Sequence, residues 1–75
     1  MAYFKIEEPN KKPKWVKSID NSNGTIEFTT SKDDRRYNRG SGIVANSEAQ
    51  RLKFHFGEKY PELAYLRVDD GYSSW

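Results

Sequence analysis

Only one stretch of the chain carries the three-and-four spacing of an amphipathic helix, Ser47–Tyr60 (SEAQRLKFHFGEKY). Ala49, Leu52, Phe56 and Tyr60 fall on one narrow stripe, and Gln50, Arg51, Glu58 and Lys59 lie mostly off it. A lone apolar stripe cannot bury itself, so the remaining residues have to supply the surface it covers. Ser47 followed three positions later by Gln50 has the form of a capping box and predicts that the helix starts there. Pro61 cannot continue a helix and biases Tyr60 away from helical geometry, which predicts an end near Tyr60.

The covering surface reads as a sheet. Tyr3–Ile6 alternates, with Phe4 and Ile6 on one face, and is short enough to be an edge strand. Trp15–Asp20 and Thr25–Thr30 flank Asn21-Ser22-Asn23-Gly24, where Asn and Gly tolerate positive φ, and together they predict a β-hairpin with Ile26 and Phe28 inward. Ser31 can cap one helical turn running through Tyr37, with Asp33 and Asp34 at its positive end. Ile43-Val44-Ala45 reads as an apolar lead-in tucked under the helix. Leu63–Asp69 alternates again, with Ala64, Leu66 and Val68 on one face, before Asp70-Gly71 ends the strand and Tyr72–Trp75 forms a tail. The predicted order is β-β-β-α-β: a single two-layer α+β domain spanning residues 1–75, its three- to four-stranded, mainly antiparallel sheet covered on one face by one helix.

Seventy-five residues leave a narrow stability margin, and no cysteine is present to staple the fold or to bind a metal through thiolate. That absence points to a reducing cytoplasm as the compartment. The opening MAYFKIEEPN has neither the charged head nor the apolar run of an export signal, and no segment approaches the roughly 20 apolar residues that span a bilayer, so no membrane partner is expected. Thirteen Lys and Arg against eleven Asp and Glu give a net charge of +2, too little for the overall field to attract nucleic acid. Eleven aromatic residues argue for a folded chain despite its polarity.

The chemistry-bearing residues each have two readings. His55 is the sole imidazole and lies off the apolar stripe, which suits a surface residue better than a ligand or general base. Glu7-Glu8, Asp33-Asp34 and Asp69-Asp70 are adjacent pairs whose side chains diverge on a strand or helix, so none alone presents converging carboxylates. Only sharing between Asp33-Asp34 and Asp69-Asp70 could hold a divalent cation, and no metal or other cofactor is expected. Arg35-Arg36-Tyr37-Asn38-Arg39-Gly40-Ser41-Gly42 combines guanidinium forks, a stacking ring and open amides that suit phosphate, but lacks the Lys-Ser/Thr of a phosphate-binding loop. Its plain alternative is a solvent-exposed connection whose arginines pair with nearby aspartates. Lys11, Lys12 and Lys14 beside Trp15 can likewise hold a nucleic-acid backbone and stack a base, or be a solvated loop before a strand. Phe54, about 140° round the helix from Ala49, and Trp75 in the tail have no evident buried role and suit protein contact.

Trp15-Val16, Ile19-Asp20, Gly24, Ile26, Phe28-Thr29, the run Asp33 to Tyr37, Ala49 and Tyr60-Pro61-Glu62-Leu63 together resemble small accessory proteins of phages and prophages of Gram-positive bacteria. The resemblance implies a hairpin, a polar turn and a helix before a last strand, and a bacterial cytoplasmic setting. It transfers no catalytic residue. The function expected is a non-enzymatic module that contacts a host or phage protein through Phe54, Trp75, Arg35, Arg36 and Arg39. The alternative is a weak nucleic-acid binder using Lys11, Lys12, Lys14, Trp15, Arg35, Arg36 and Tyr37.

Overall fold

The first strand, β1 (Ala2–Ile6), is the centre of the sheet and not its edge. In the computed structural model, which describes residues 1–70, β1 is antiparallel to β5 (Leu66–Asp70) along its whole length, from Ala2 opposite Asp70 to Ile6 opposite Leu66. Its other edge is shared. Lys5 and Ile6 pair with Trp15 and Lys14 of β2 (Lys14–Asp20), while Ala2 and Tyr3 pair with Arg39 and Asn38 of β4 (Asn38–Arg39). The strand β3 (Thr25–Thr29) closes the far side by pairing with β2. The fold is therefore α+β with a five-stranded antiparallel sheet, one strand more than the upper end of the expected range.

The reason for the central placement is the side chains. Ala2, Phe4 and Ile6 are all essentially inaccessible, and they form one core with Val16, Ile26, Leu63 and Leu66 and with Ala45, Ala49 and Leu52 of the helix. An edge strand would leave a row of unpaired backbone groups beside this apolar face.

The β2–β3 hairpin follows the sequence reading. Asp20 caps the turn: one carboxylate oxygen accepts the Ser22 and Asn23 backbone N–H groups at 3.0 and 3.3 Å, and the other accepts Asn23 Nδ2 at 2.8 Å. Gly24 closes it with φ of +66°, a conformation in which a Cβ would be strained. A bulge between Val16 and Ser18 then shifts the register.

The helix α1 spans Gly42–Phe56, more than a turn earlier than the Ser47–Gln50 pattern predicts. Ser41 is the actual cap, extended at φ −143°, with its Oγ accepting the Val44 N–H at 3.3 Å and its carbonyl accepting the Ala45 N–H at 3.0 Å. Extending the helix backward adds Ala45 to the stripe of Ala49, Leu52 and Phe56, which is why the earlier start wins. Ile43 and Val44 then lie within the first turn and face outward, correcting the expected buried lead-in.

The helix also ends sooner, at Phe56, although the Tyr60 N–H still reaches the Phe56 carbonyl at 2.9 Å. At Gly57 a Cβ would collide with the Lys53 carbonyl, so this exit needs glycine. Pro61–Tyr65 forms a 3-10 turn instead of the start of a strand, and it buries Leu63 while Ala64 is exposed, the reverse of the predicted facing. The Ser31 turn is likewise shorter than expected: it covers Lys32–Asp34 only, with the Asp34 N–H bonded to the Ser31 carbonyl and no cap from the Ser31 side chain. The predicted end at Gly71 and the tail Tyr72–Trp75 lie outside the described residues.

Phe4→Ala should cost about 3–5 kcal/mol, which is most or all of the stability available to a domain of this size. Phe54→Ala, on the exposed side of α1, should change stability by no more than about 0.5 kcal/mol. Urea unfolding followed by far-ultraviolet circular dichroism checks both, and a cooperative transition for Phe4→Ala at the parent midpoint would contradict the core assignment.

Candidate functional site

Cross-strand partners share a face, so the sheet face away from α1 carries Tyr3, Lys5, Trp15, Arg67 and Asp69. Arg35, delivered by the polar turn after β3, folds over this face. Its guanidinium lies 3.8 Å from the centroid of the Tyr3 ring and 5.9 Å from that of Trp15, and its Nη1 donates to Asp69 Oδ2 at 2.8 Å. The same carboxylate oxygen accepts Trp15 Nε1–H at 3.2 Å, and Lys5 Nζ covers the Trp15 ring from 5.6 Å. The Arg35 side chain is 17% exposed, and Trp15 is 7% exposed. Trp15 therefore offers no open ring to a base, and Arg35 is not free in solvent; both expectations are corrected.

Arg39 is also committed inward. Its Nη2 donates to the Tyr37 hydroxyl at 2.7 Å and sits 3.4 Å from Glu48 Oε1, and the Tyr37 hydroxyl donates to that oxygen at 2.9 Å. The Tyr37 ring packs on Phe4 at 5.2 Å between centroids. This chain links β4 to α1 and accounts for Tyr37, which is part of the wall over the core and not a free stacking platform. Burial pushes the Tyr37 hydroxyl pKa up, and the Glu48 carboxylate adds to the rise against the opposing effect of Arg39.

The lysine cluster is largely neutralised as well. Lys11 Nζ meets Glu8 at 3.0 Å, and Lys14 Nζ meets Glu62 at 3.1 Å while standing over the Phe28 ring at 4.4 Å. Burial alone would raise the Glu62 carboxyl, but its own backbone N–H and the Lys14 ammonium outweigh burial and hold it below the ordinary value. Of the residues expected to meet nucleic acid, Lys12 and Arg36 are the exposed ones, and Arg36 reaches Asp34 only at 3.8 Å. Asp34 also pairs with Lys17 at 3.2 Å, so Asp34 and Asp69 each face a cation of the chain. Among the described residues no three metal-ligating side chains converge, and the shared cation site between the two aspartate pairs does not form. No helix among them is long and apolar enough to cross a membrane.

The remaining candidate surface is the outer side of α1. Phe54 is 84% exposed, in keeping with its place off the stripe, and it shares its face with Ile43, exposed to the same 84%. The two are eleven positions apart, which brings them back into line three turns along, about 16 Å. Exposed Ser47 and Gln50 lie between them, and Val44 is 53% exposed beside Ile43. Sequence reading missed Ile43 and Val44 because it took them for buried; the signal that identifies them is Ser41, a cap residue three positions before Val44. Trp75 lies outside the described residues.

No protein-family model, no curated protein and no solved structure matches the chain. The placement of its own residues therefore carries the functional reading.

Asp69→Ala removes the acceptor of both Arg35 and Trp15 and should cost about 1–2 kcal/mol, the lower part of the usual range because the carboxylate is partly solvated. A denaturation midpoint within error of the parent would contradict the role of Asp69. The raised Tyr37 pKa has a defined sign: the unfolded tyrosine ionises first, so this stabilisation is intact below about pH 10 and lost as pH rises through the folded value. Stability measured from pH 8 to 11.5 should fall more steeply in the parent than in Tyr37→Phe, and parallel curves would contradict this.

Proposed function

We propose that this chain is a non-enzymatic binding module that acts by occupying the surface of another protein, and that it is of the phage or prophage accessory type working in a bacterial cytoplasm. The observation that carries the reading is the outer face of α1, where Ile43 and Phe54 align at 84% exposure with Val44 at their side. One exposed apolar residue is ordinary, but a row of them on a single helix in so small a domain is what contact surfaces are made of. Buried aromatic anchors dominate binding energy once water is excluded, and Phe54 is placed to be one. Arg36, with its side chain 75% exposed, supplies a charged contact. The internal pairing of Arg35, Arg39, Lys11 and Lys14 favours a protein partner over a phosphate backbone, since each cation already has an acid in the chain. The resemblance of residues between Trp15 and Leu63 to phage accessory proteins supports the setting.

A purified bait in a Gram-positive bacterial lysate should retain a partner that Ile43→Asp/Phe54→Lys loses. Those substitutions place an acid in the first turn and a base in the last, where the helix dipole favours them, so folding should be preserved. Circular dichroism verifies that. Retention of the same partner by the folded double variant, or no specific partner with the parent, would sink the reading.

A further inference from the structure

The β2–β3 hairpin and the body of α1 do not close on each other. The helix packs mainly on β5, β1 and β4, while the hairpin is tied only to the segment after the helix: the Tyr60 hydroxyl accepts the Ile26 N–H at 3.0 Å, and Lys59 Nζ donates to the Gly24 carbonyl at 3.3 Å. Between them is left an open cleft of about 330 Å³, with Asn21 and Gly24 on the hairpin wall. This volume lies at the lower end of the roughly 300–1,000 Å³ in which ligand pockets fall.

Its other wall is α1, and the chemistry there is asymmetric. Leu52 and the half-buried Phe56 give an apolar floor. Above them stand Glu48, Arg51 and His55, of which Glu48 is already bonded to Tyr37 and Arg39. Arg51 approaches Glu48 only at 3.7 Å with its side chain 70% exposed, which leaves most of its five N–H donors open. From Ala49 to Gly57 the chain has Arg51 and Lys53 and no acidic residue. His55 also joins the cleft to the exposed row, because the Phe54 ring meets it edge-on at 5.3 Å.

We infer that this cleft takes an extended segment of a protein partner in which an apolar side chain is flanked by carboxylates, the apolar group lying on Leu52 and Phe56 and a carboxylate on the Arg51 guanidinium. The inference rests on the binding-module reading and extends it to the chemistry of the partner. Charge complementarity selects the acid: a basic rim over an apolar floor favours carboxylate and disfavours ammonium, and the planar Arg fork matches carboxylate geometry.

The test is a titration of the isotope-labelled full chain with acetyl-Asp-Phe-Asp-amide and with acetyl-Lys-Phe-Lys-amide, followed by amide resonances. The acidic peptide should shift Gly24, Leu52 and His55 and the basic peptide should not. Arg51→Glu should weaken the acidic peptide roughly tenfold or more, the loss of one charge-assisted hydrogen bond. Lys53→Gln should leave the titration unchanged, which separates a local contact from general charge attraction. Equal response to both peptides, no shift at these three residues at millimolar peptide, or an unchanged titration in Arg51→Glu overturns the inference. So does a concentration-dependent shift of the same resonances without peptide, which would make a second copy of the chain the occupant. Because the readout is at Gly24, Leu52 and His55, failure here is distinct from failure of the Ile43 and Phe54 capture experiment.

Discussion

Everything in this fold has to satisfy one strand. β1 has a face of Ala2, Phe4 and Ile6 that admits no water, and neither of its edges is free. β5 lies along one edge throughout, and β2 and β4 divide the other, because β2 diverges after Lys14 and Trp15 and leaves the Ala2–Tyr3 half to be paired by something else. The two-residue strand β4 fills that gap. Pairing there anchors the arginine segment against the sheet, and Arg35 and Arg39 then reach acids on other elements, Asp69 of β5 and Glu48 of α1.

This arrangement inverts what the charge pattern suggests. The arginine run has the composition of a solvated contact loop, yet two of its three guanidiniums serve the fold, one stacked on Tyr3 and one bridging Tyr37 to the helix. A guanidinium over an aromatic ring with a bonded carboxylate satisfies itself inside the chain, which leaves little attraction for an outside phosphate. The apolar content behaves in the opposite way. Residues that read as core, Ile43 and Val44, are set outside, because α1 begins at Gly42 and its inward positions in the first turns go to Ala45 and Ala49. Small inward residues let the helix lie close to β1 and push the larger side chains to the solvent side.

What was legible in the sequence was local. The hairpin needs only alternation and the Asn21–Gly24 turn, and both are contiguous. The existence of α1, its inward stripe and the exposure of Phe54 follow from periodicity alone. What was hidden depends on residues far apart: that Tyr3–Ile6 is central cannot be known without its three partners, and Asp69 as the joint acceptor for Arg35 and Trp15 has no nearby signal. The helix start was misplaced for a different reason. Ser41 and Ser47 are both competent caps, and only the burial of Ala45 decides between them. Leu63 was assigned the wrong facing because Pro61 permits a 3-10 turn, in which the alternation of a strand does not apply.

The pairing of β1 with β5 joins nearly the first residues to emerge from the ribosome with nearly the last of the described chain. Until Leu66–Asp70 has been synthesised, the strand that organises the sheet has an open edge and an apolar face with half its cover missing. Folding is therefore post-translational in character: nascent chains must hold Phe4 and Ile6 in a provisional state, and a ribosome stalled within α1 would present a sticky, incomplete sheet to chaperones and proteases.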